Sequence, residues 1–277
     1  MKYLARTLEG RPLLGDEEGF VPLSAAAPGL ETVRDALPRA AAGTLPDVDD
    51  APADRIDAEG LQFGLPLERE QFGKLWGIGL NYAEHAGDLD EQRPEEPASF
   101  MKPSSALTGP GGPIRLPPLE RSERVTAEAE LAVVAGRQCR SVDEDGVDDA
   151  IAGYLPVIDM TAEDVLQRNP RFLTRAKSFD SFLVVGPTVA VPEPDDALAL
   201  EELTVRTVVN DRVAAENEIR NMLFPPREIV AFHSDVMTLE SGDLFSTGTP
   251  GAEPIEPGDD VRAEVEGIGT VSAPVVR

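Results

Sequence analysis

The stretch TAEAELAVV, residues 126–134, sets two carboxylates at the start of an apolar run. A short continuous apolar run of this kind predicts a buried strand. Side chains two positions apart on a strand point to the same face, so Glu128 and Glu130 are predicted to lie side by side. Such close carboxylates repel each other unless a cation lies between them or one is protonated. A hard cation with oxygen ligands would resolve the repulsion; the alternative is an exposed strand entry where both glutamates face solvent.

Outward from this stretch, short apolar runs alternate with Gly and Pro turns from Lys74 onward. Helical signals are fewer: a capped segment around 142–151 and a helix opened by Pro226. Many short strands with few helices predict a β-rich α+β fold, built as a mixed sandwich or rolled sheet. The strand-like runs are KLWGIGL (74–80), SFMKP (99–103), ELAVVAG (130–136), YLPVIDM (154–160), FLVVGPTVAV (182–191), LTVRTVVN (203–210), DLFST (243–247) and VRAEVEG (261–267).

The first 72 residues differ in composition from the rest of the chain. Strand-like pieces at 2–6 and 19–23 are followed by an acidic, Pro- and Ala-rich stretch at 43–60. Such a composition predicts a linker or an exposed loop. The expected organisation is a small N-terminal domain with its linker at 1–72 and a larger domain, which carries the candidate site, at 73–277.

The chain carries 51 acidic residues against 25 basic ones, a net charge of −26, and only four of the basic residues are lysines. So much like charge destabilises a compact state, but in molar salt the Debye length falls to roughly 3 Å and screens the repulsion. The composition therefore indicates a halophile with a high-salt cytosol. An acidic binding tail is a weaker interpretation because the acids are spread along the chain. The negative surface also argues against a nucleic-acid partner.

Cysteine usage and hydropathy bear on the compartment. Cys139 is the single cysteine, which excludes an internal disulfide and a cysteine-based metal cluster. The start MKYLARTLEG lacks the apolar core of a signal peptide, and no apolar run approaches the length of a membrane span. The sequence predicts a cytoplasmic protein with no membrane partner.

Three further charged residues are candidates for the site. Asp159 ends the apolar run at 153–158, where a charge is costly unless it is paired or bound to a metal. Lys177 and Lys102 persist in a chain where arginine would serve for solubility, which indicates an ammonium aimed at one oxygen or a shifted pKa. The alternatives are a strand terminus or N-cap for Asp159, and chance or a buried ion pair for the lysines.

The chain has two histidines. His85 follows a strand-like run, and Asp88 lies three residues on, so a helical turn would pair the two side chains. A histidine oriented by a carboxylate is a usable general base near neutral pH; the alternative is a surface histidine beside an acid. His233 lies in an amphipathic helical segment and is predicted to be structural.

The stretch SGDLFSTGTP, residues 241–250, pairs a turn with a strand that ends in small hydroxyl residues. Gly248 would let a ligand approach backbone N–H groups, and Thr249 can donate to a carboxylate. The alternative is a plain hairpin followed by a loop. The sequence contains no phosphate-binding glycine loop, dinucleotide fingerprint or serine nucleophile elbow.

Taken in order, these segments resemble the fumarylacetoacetate hydrolase family, in particular its acylpyruvate hydrolase-like branch. The resemblance runs from about Leu75 to Val276 and implies a rolled β-sandwich that forms a homodimer. It also implies Mg²⁺ or Mn²⁺, with Ca²⁺ as a further option, held by Glu128, Glu130 and Asp159. The motifs that carry it are GLNYAEH (79–85), FMKPSSALTGP (100–110), EAELAVV (128–134), GYLPVIDMTAED (153–164), AKSFDSFLVVGP (176–187), GDLFSTGTP (242–250) and GDDVRAEVEGIG (258–269).

The resemblance implies roles for residues around the metal. Lys177 would polarise the substrate oxygens, and Thr249 would contact a substrate carboxylate. His85, supported by Asp88, would lie on a lid that closes over the site. The further substrate-binding residues implied in this way are Tyr82, Lys102 and Gln167.

The chain departs from the family pattern at three positions. Asp88 stands where the family usually has Glu, which is one methylene longer. Glu163 stands where the family has Arg, so substrate polarisation would need another arginine. Gln167 matches a family Gln only after a one-residue insertion; otherwise Leu166 takes that place. The candidate arginines are Arg168, Arg171 and Arg175.

The leading functional hypothesis is hydrolytic C–C cleavage of an acylpyruvate-type 2-oxo acid through a metal-stabilised enolate, with His85 taking a proton from the attacking water. The alternative keeps the metal site but ends in isomerisation, decarboxylation or dehydration of another small 2-oxo acid. A non-enzymatic acid- or sugar-binding module is the weakest hypothesis, because the carboxylates, the lysine and the His–Asp pair are all present.

Overall fold

A computed structural model describes residues 1–82, 94–143, 145–193 and 198–277 of the chain. The helices in these ranges are α1 (Leu23–Ala26), α2 (Val33–Ala41), α3 (Glu163–Arg168), α4 (Leu173–Lys177) and α5 (Pro226–Val236). The strands are β1 (Lys2–Arg6), β2 (Pro12–Asp16), β3 (Gly19–Pro22), β4 (Leu75–Gly79), β5 (Ala98–Lys102), β6 (Leu107–Thr108), β7 (Ile114–Arg115), β8 (Val125–Ala135), β9 (Ile151–Ala162), β10 (Leu183–Val185), β11 (Thr188–Val191), β12 (Thr204–Val209), β13 (Arg212–Glu218), β14 (Leu244–Ser246), β15 (Glu253–Pro254), β16 (Asp260–Val265) and β17 (Gly269–Val276).

The described strands form two sheets. The larger has the order β3-β2-β1-β11-β9-β8-β14-β4-β5, with β10 joining β6 to β9 and β15 pairing with β8. The smaller has the order β13-β12-β16-β17-β7 and packs on β8 and β9. The long antiparallel pair β8–β9 therefore lies at the centre of the fold.

Strand β8 is buried at every position because both of its faces are covered. The odd-numbered residues of 127–133 pack in the core that includes the smaller sheet, whereas Ala132 and Val134 pack in the core that includes α2. Side chains alternate along a strand. Glu128 and Glu130 therefore lie on the face of Ala132 and Val134, away from the smaller sheet.

The predicted fold class is confirmed: the chain is strand-rich, with a mixed larger sheet and a second sheet packed on it. Each of the eight strand-like runs contains a strand, and Pro226 is the first residue of α5. The capped segment predicted around 142–151 holds only a 3₁₀ turn, Asp148–Ala150, among its described residues. In the described part of the chain, no helix has the length and apolar character needed to cross a membrane.

The N-terminal strands extend the larger sheet. Leu4 of β1 pairs with Val189 of β11, so strands on both sides of residue 72 share one sheet. The stretch 43–60, predicted to be a linker or exposed loop, is anchored by an ion pair between Arg55 and Asp16. The domain boundary at residue 72 stays a prediction.

Candidate metal centre

Three carboxylates meet on the central strand pair. The β8–β9 register sets Glu128 directly opposite Asp159, and Glu130 follows Glu128 on the same face of β8. All three are buried, and one oxygen of each lies within 4.8 Å of the other two. The exposed strand entry, which was the alternative interpretation of the Glu-x-Glu motif, does not occur.

Two buried lysines neutralise part of this charge. Lys177 Nζ lies 2.8 Å from Glu128 Oε2 and 3.0 Å from Asp159 Oδ2. Lys102 Nζ lies 2.5 Å from Asp159 Oδ1 and donates to the backbone carbonyls of residue 177 and of Phe182. Lys102 thus holds Asp159 and the backbone at Lys177 in one place. Two ammonium groups facing three carboxylates leave one carboxylate uncompensated if all are ionised.

Glu130 has its own set of donors. Its Oε2 accepts hydrogen bonds from Ser246 Oγ and from the backbone N–H of Gly248, both at 2.6 Å. Gly248 has a φ of +100°, and a Cβ there would come 2.7 Å from the Cβ of Asn81. Only glycine fits this turn at low cost, so the glycine is needed to aim its N–H at Glu130.

Burial and charge shift the ionisation of this cluster. Burial, with repulsion from Asp159 and Glu128, raises the pKa of Glu130 to about 8, although Lys177 and Ser246 act in the opposite direction. Burial alone would lower the pKa of Lys177, but attraction to the three carboxylates outweighs it and raises that pKa. Burial lowers the pKa of Lys102 despite the attraction of Asp159. A bound dication would relieve the repulsion that keeps a proton on Glu130.

The donor set fits a divalent metal. Three carboxylates offer the hard oxygen ligands that Mg²⁺, Mn²⁺ and Ca²⁺ accept. The uncompensated charge supports the same conclusion, because a buried carboxylate without a cation is costly. Glu128, Glu130 and Asp159 could therefore hold a divalent metal.

Metal affinity should depend steeply on pH. Glu130 has its pKa raised to about 8 in the metal-free protein, and ligands must be deprotonated to bind. Below pH 8 each unit of acidification should therefore weaken Mn²⁺ binding about tenfold, while above pH 8 the affinity should level off. Calorimetric titrations at pH 6 to 9, in buffers of different ionisation enthalpy, would show release of about one proton at pH 7. A flat affinity across that range would contradict the shifted pKa.

The other predicted substrate-binding residues are Tyr82, Thr249 and Gln167, and each makes different contacts. The Tyr82 hydroxyl is buried with no hydrogen-bond partner among the described residues, and burial together with the charge of Glu130 raises its pKa. Thr249 follows Gly248, and its hydroxyl bonds within its own turn, to the carbonyl of Gly251 at 2.9 Å. Gln167 is exposed on α3 and donates to Glu163 at 2.9 Å.

Three arginines were candidates for the substrate-polarising role of the family arginine that Glu163 replaces. Among the described contacts, none of them pairs with Glu163. Glu163 itself is paired with Arg124, and Arg168 bonds to its own helix and lies 3.6 Å from Asp164. Arg171 and Arg175 line a surface cavity instead. His85 and Asp88 lie outside the described residues, so their predicted roles stay predictions.

Several residues of the site carried no recognisable signal in the sequence. Thr161, on β9, donates to Glu128 Oε1. Asn81 donates to the carbonyls of Phe224 and Thr247, and its Oδ1 accepts from the N–H of Phe224. It thereby fixes the segment that carries Gly248.

His233 is buried against the Trp76 ring, as expected for a structural histidine.

A two-sheet β fold with three buried carboxylates on adjacent central strands defines a class of protein that can hold a divalent cation in its core. Residues 74–276 match the family model for the fumarylacetoacetate (FAA) hydrolase C-terminal region. The chain belongs to this family, and the family resemblance seen in the sequence is confirmed.

Relatives in the family differ in activity. The chain is 35% identical over 214 residues to the mitochondrial oxaloacetate tautomerase FAHD1 of Bos taurus, covering 73% of this chain and 93% of that one. It is 37% identical over 210 residues to the 4-hydroxyphenylacetate degradation bifunctional isomerase/decarboxylase of Escherichia coli, covering 74% and 47%. A maleylpyruvate hydrolase from Sphingobium sp. SYK-6, solved with manganese(II) and pyruvate, superimposes with a TM-score of 0.80 and 28% identity over 99% and 98% of the two chains.

Proposed function

We propose that this chain is a Mg²⁺- or Mn²⁺-dependent hydrolase that cleaves a C–C bond of an acylpyruvate-type 2-oxo acid. The observation that carries the proposal is the buried triad of Glu128, Glu130 and Asp159 with Lys177 held against it. A divalent metal at this triad would act as a Lewis acid and stabilise negative charge on the oxygens of the 2-oxo acid. The manganese and pyruvate found in the maleylpyruvate hydrolase support this choice of metal and substrate class.

The chain's own groups would bind and orient the substrate. The ammonium of Lys177 supplies a fixed positive charge beside the triad, in a buried place where such a charge acts strongly. The buried hydroxyl of Tyr82 is free among the described residues to donate to a substrate oxygen. Thr249 would contact the substrate carboxylate, and His85, oriented by Asp88, would take the proton of the attacking water.

A second candidate keeps the same site but needs no activated water: tautomerisation, isomerisation or decarboxylation of another small 2-oxo acid. Similarity to an oxaloacetate tautomerase and to a bifunctional isomerase/decarboxylase favours it. In this case Lys177 and the metal would lower most of the barrier, and His85 would contribute little.

Replacement of His85 separates the two candidates. His85→Ala should lower kcat for acylpyruvate hydrolysis by about 10²–10⁴, the usual contribution of a general base. The same variant should leave oxaloacetate tautomerisation and decarboxylation near the wild-type rates. Asp88→Asn should give a smaller loss in the same direction, and Asp88→Glu should be tolerated. Mn²⁺ titration of each variant serves as the control. Hydrolysis at the wild-type rate in His85→Ala would refute the hydrolase proposal and favour the second candidate.

We also propose that the protein forms a homodimer, as the family resemblance implies. We further propose that it works in a salt-rich cytoplasm. The net charge of −26 implies strong self-repulsion in dilute buffer. Unfolding midpoints and activity should therefore rise with KCl up to roughly molar concentration, where the Debye length is about 3 Å. An equal osmolarity of sucrose, which does not screen charge, is the control. A melting temperature that stays the same between dilute buffer and molar KCl would rule out the halophilic interpretation.

A further inference from the structure

A cavity of about 500 Å³ opens beside α4. Its polar lining includes Arg121, Arg171, Arg175 and Ser178, and Phe172 also lines it. None of the three triad carboxylates lines it. Two of the lining residues, Arg171 and Arg175, are candidates for the arginine role that Glu163 cannot fill.

The three cavity arginines are exposed and have no carboxylate partner among the described residues. In the described ranges no carboxylate lies within 4.0 Å of the guanidinium of Arg121, Arg171 or Arg175, although acidic residues outnumber basic ones by about two to one. Three like charges around one cavity repel each other. Nine other arginines in the described ranges have a carboxylate partner and eight do not, so the distinguishing feature is that three unpaired arginines surround one cavity. The paired ones are Arg6, Arg55, Arg124, Arg168, Arg206, Arg212, Arg220, Arg227 and Arg262.

The local backbone and packing constrain the segment that carries Arg171 and Arg175. Asn169 Oδ1 accepts the N–H of Arg171 at 3.0 Å and caps the 3₁₀ turn before α4. Arg175 follows one turn later, with its guanidinium 5.7 Å from the centre of the Phe172 ring, a cation–π distance that limits its motion. The Ser178 hydroxyl is buried and has no hydrogen-bond partner among the described residues. An unpaired donor beside unpaired cations is an arrangement that an anion would satisfy.

We propose that this cavity binds an organic carboxylate. Guanidinium groups match a carboxylate through paired N–H donors, and Ser178 supplies a further donor. Phe172 and Phe179 give the cavity apolar surface that suits a carbon chain better than an inorganic ion. The carboxylate is either the far end of the substrate or a separate molecule. Ser178 directly follows Lys177 in the chain, which links the cavity to the proposed site. Only the first option rests on the proposed function.

Succinate binding to the full-length protein in Mg²⁺ buffer tests the proposal. Calorimetry at one fixed KCl concentration should give an affinity at least about tenfold lower for Arg171→Gln/Arg175→Gln than for wild type, since each charge-assisted bond is worth a factor of this order. Arg34→Gln/Arg39→Gln, at the two arginines of α2, is the matched control for the loss of two positive charges. Glu128→Gln should retain succinate binding, because it disables only the triad.

The same variants identify the source of the carboxylate. A rise in KM of the double arginine variant for dicarboxylic 2-oxo acids, but not for monocarboxylic ones, would assign the cavity to the far end of the substrate. Unchanged KM values with lost succinate binding would assign it to a separate carboxylate. The proposal is overturned if wild type does not bind succinate, or if binding survives in the double arginine variant and disappears in Glu128→Gln. A protein without turnover still gives the binding result, so failure of the proposed function is distinguishable.

Discussion

Glu128→Gln and Asp159→Asn should each lose Mn²⁺ binding and lower kcat by about 10²–10⁴. Both substitutions keep the shape of the side chain and remove one of three negative charges that face each other within 4.8 Å. Lewis-acid stabilisation is worth several kcal/mol, and each 1.4 kcal/mol is a factor of ten in rate. Lys177 keeps one carboxylate partner in each variant, and Glu128→Gln should still fold. Asp159→Asn also removes the carboxylate that pairs with buried Lys102, so this variant should melt below Glu128→Gln.

The matched control is Glu123→Gln. Glu123 is an exposed carboxylate in the segment just before β8, and it is not part of the triad. This control removes the same charge from the same part of the chain, so Mn²⁺ affinity and kcat should match the wild type. The measurements are Mn²⁺ titration, initial rates with a 2-oxo acid, and the Mn²⁺-dependent rise in melting temperature expected from mass action. Native Mn²⁺ affinity in a variant that lacks both Glu128 and Glu130 would refute the assignment of the metal centre.

The core of the site was predictable because its information is local. Alternation along TAEAELAVV predicted that Glu128 and Glu130 share a face, and the cost of a charge at the end of an apolar run singled out Asp159. That Glu128 and Asp159 lie opposite each other was not predictable from spacing. It depends on the β8–β9 register, which is set by packing of both strands between two layers.

The partners of the triad depend on contacts between residues far apart in the chain. Lys102 reaches Asp159 across 57 positions, and Ser246 reaches Glu130 across 116. The scarcity of lysine identified Lys102 as a candidate but not its use: in the structure it bonds to Asp159 and to two carbonyls of the chain itself. A buried ion pair, which was the alternative interpretation for a retained lysine, describes these contacts.

The N-terminal region contributes strands to the larger sheet, since β1 pairs with β11. The small N-terminal domain at 1–72, indicated by composition, stays a prediction. Helix α2 was not predicted, although Thr32 and Asp35 form a capping box at its start. Pro38 inside the helix weakens the local helical signal. Burial of Leu37 and its neighbours in the core supplies the stabilisation that local propensity lacks.

Lys177→Met should change metal binding and turnover in opposite directions. The ammonium lies between Glu128 and Asp159 at 2.8 and 3.0 Å, so it neutralises the charge that would attract a dication. Its removal should tighten Mn²⁺ binding by roughly tenfold or more, because a charge-assisted contact is worth about 1.5–3 kcal/mol. The same removal should lower kcat by about 10²–10³, the loss typical of one fixed group that stabilises developing negative charge.

The metal-free and metal-bound forms of Lys177→Met should also differ in stability. Breaking a buried ion pair by removing one partner costs about 3–5 kcal/mol, so the metal-free variant should melt well below the wild type. Mn²⁺ should recover most of this loss, because it replaces the missing positive charge. Lys2→Met is a close control: Lys2 Nζ also contacts two carboxylates at 2.8 and 3.0 Å, Asp47 and Glu193, away from the triad. That control should leave Mn²⁺ affinity and kcat unchanged. If Lys177→Met lowers affinity and turnover together, Lys177 supports the metal ligands structurally; if affinity rises while turnover falls, its charge acts on the substrate.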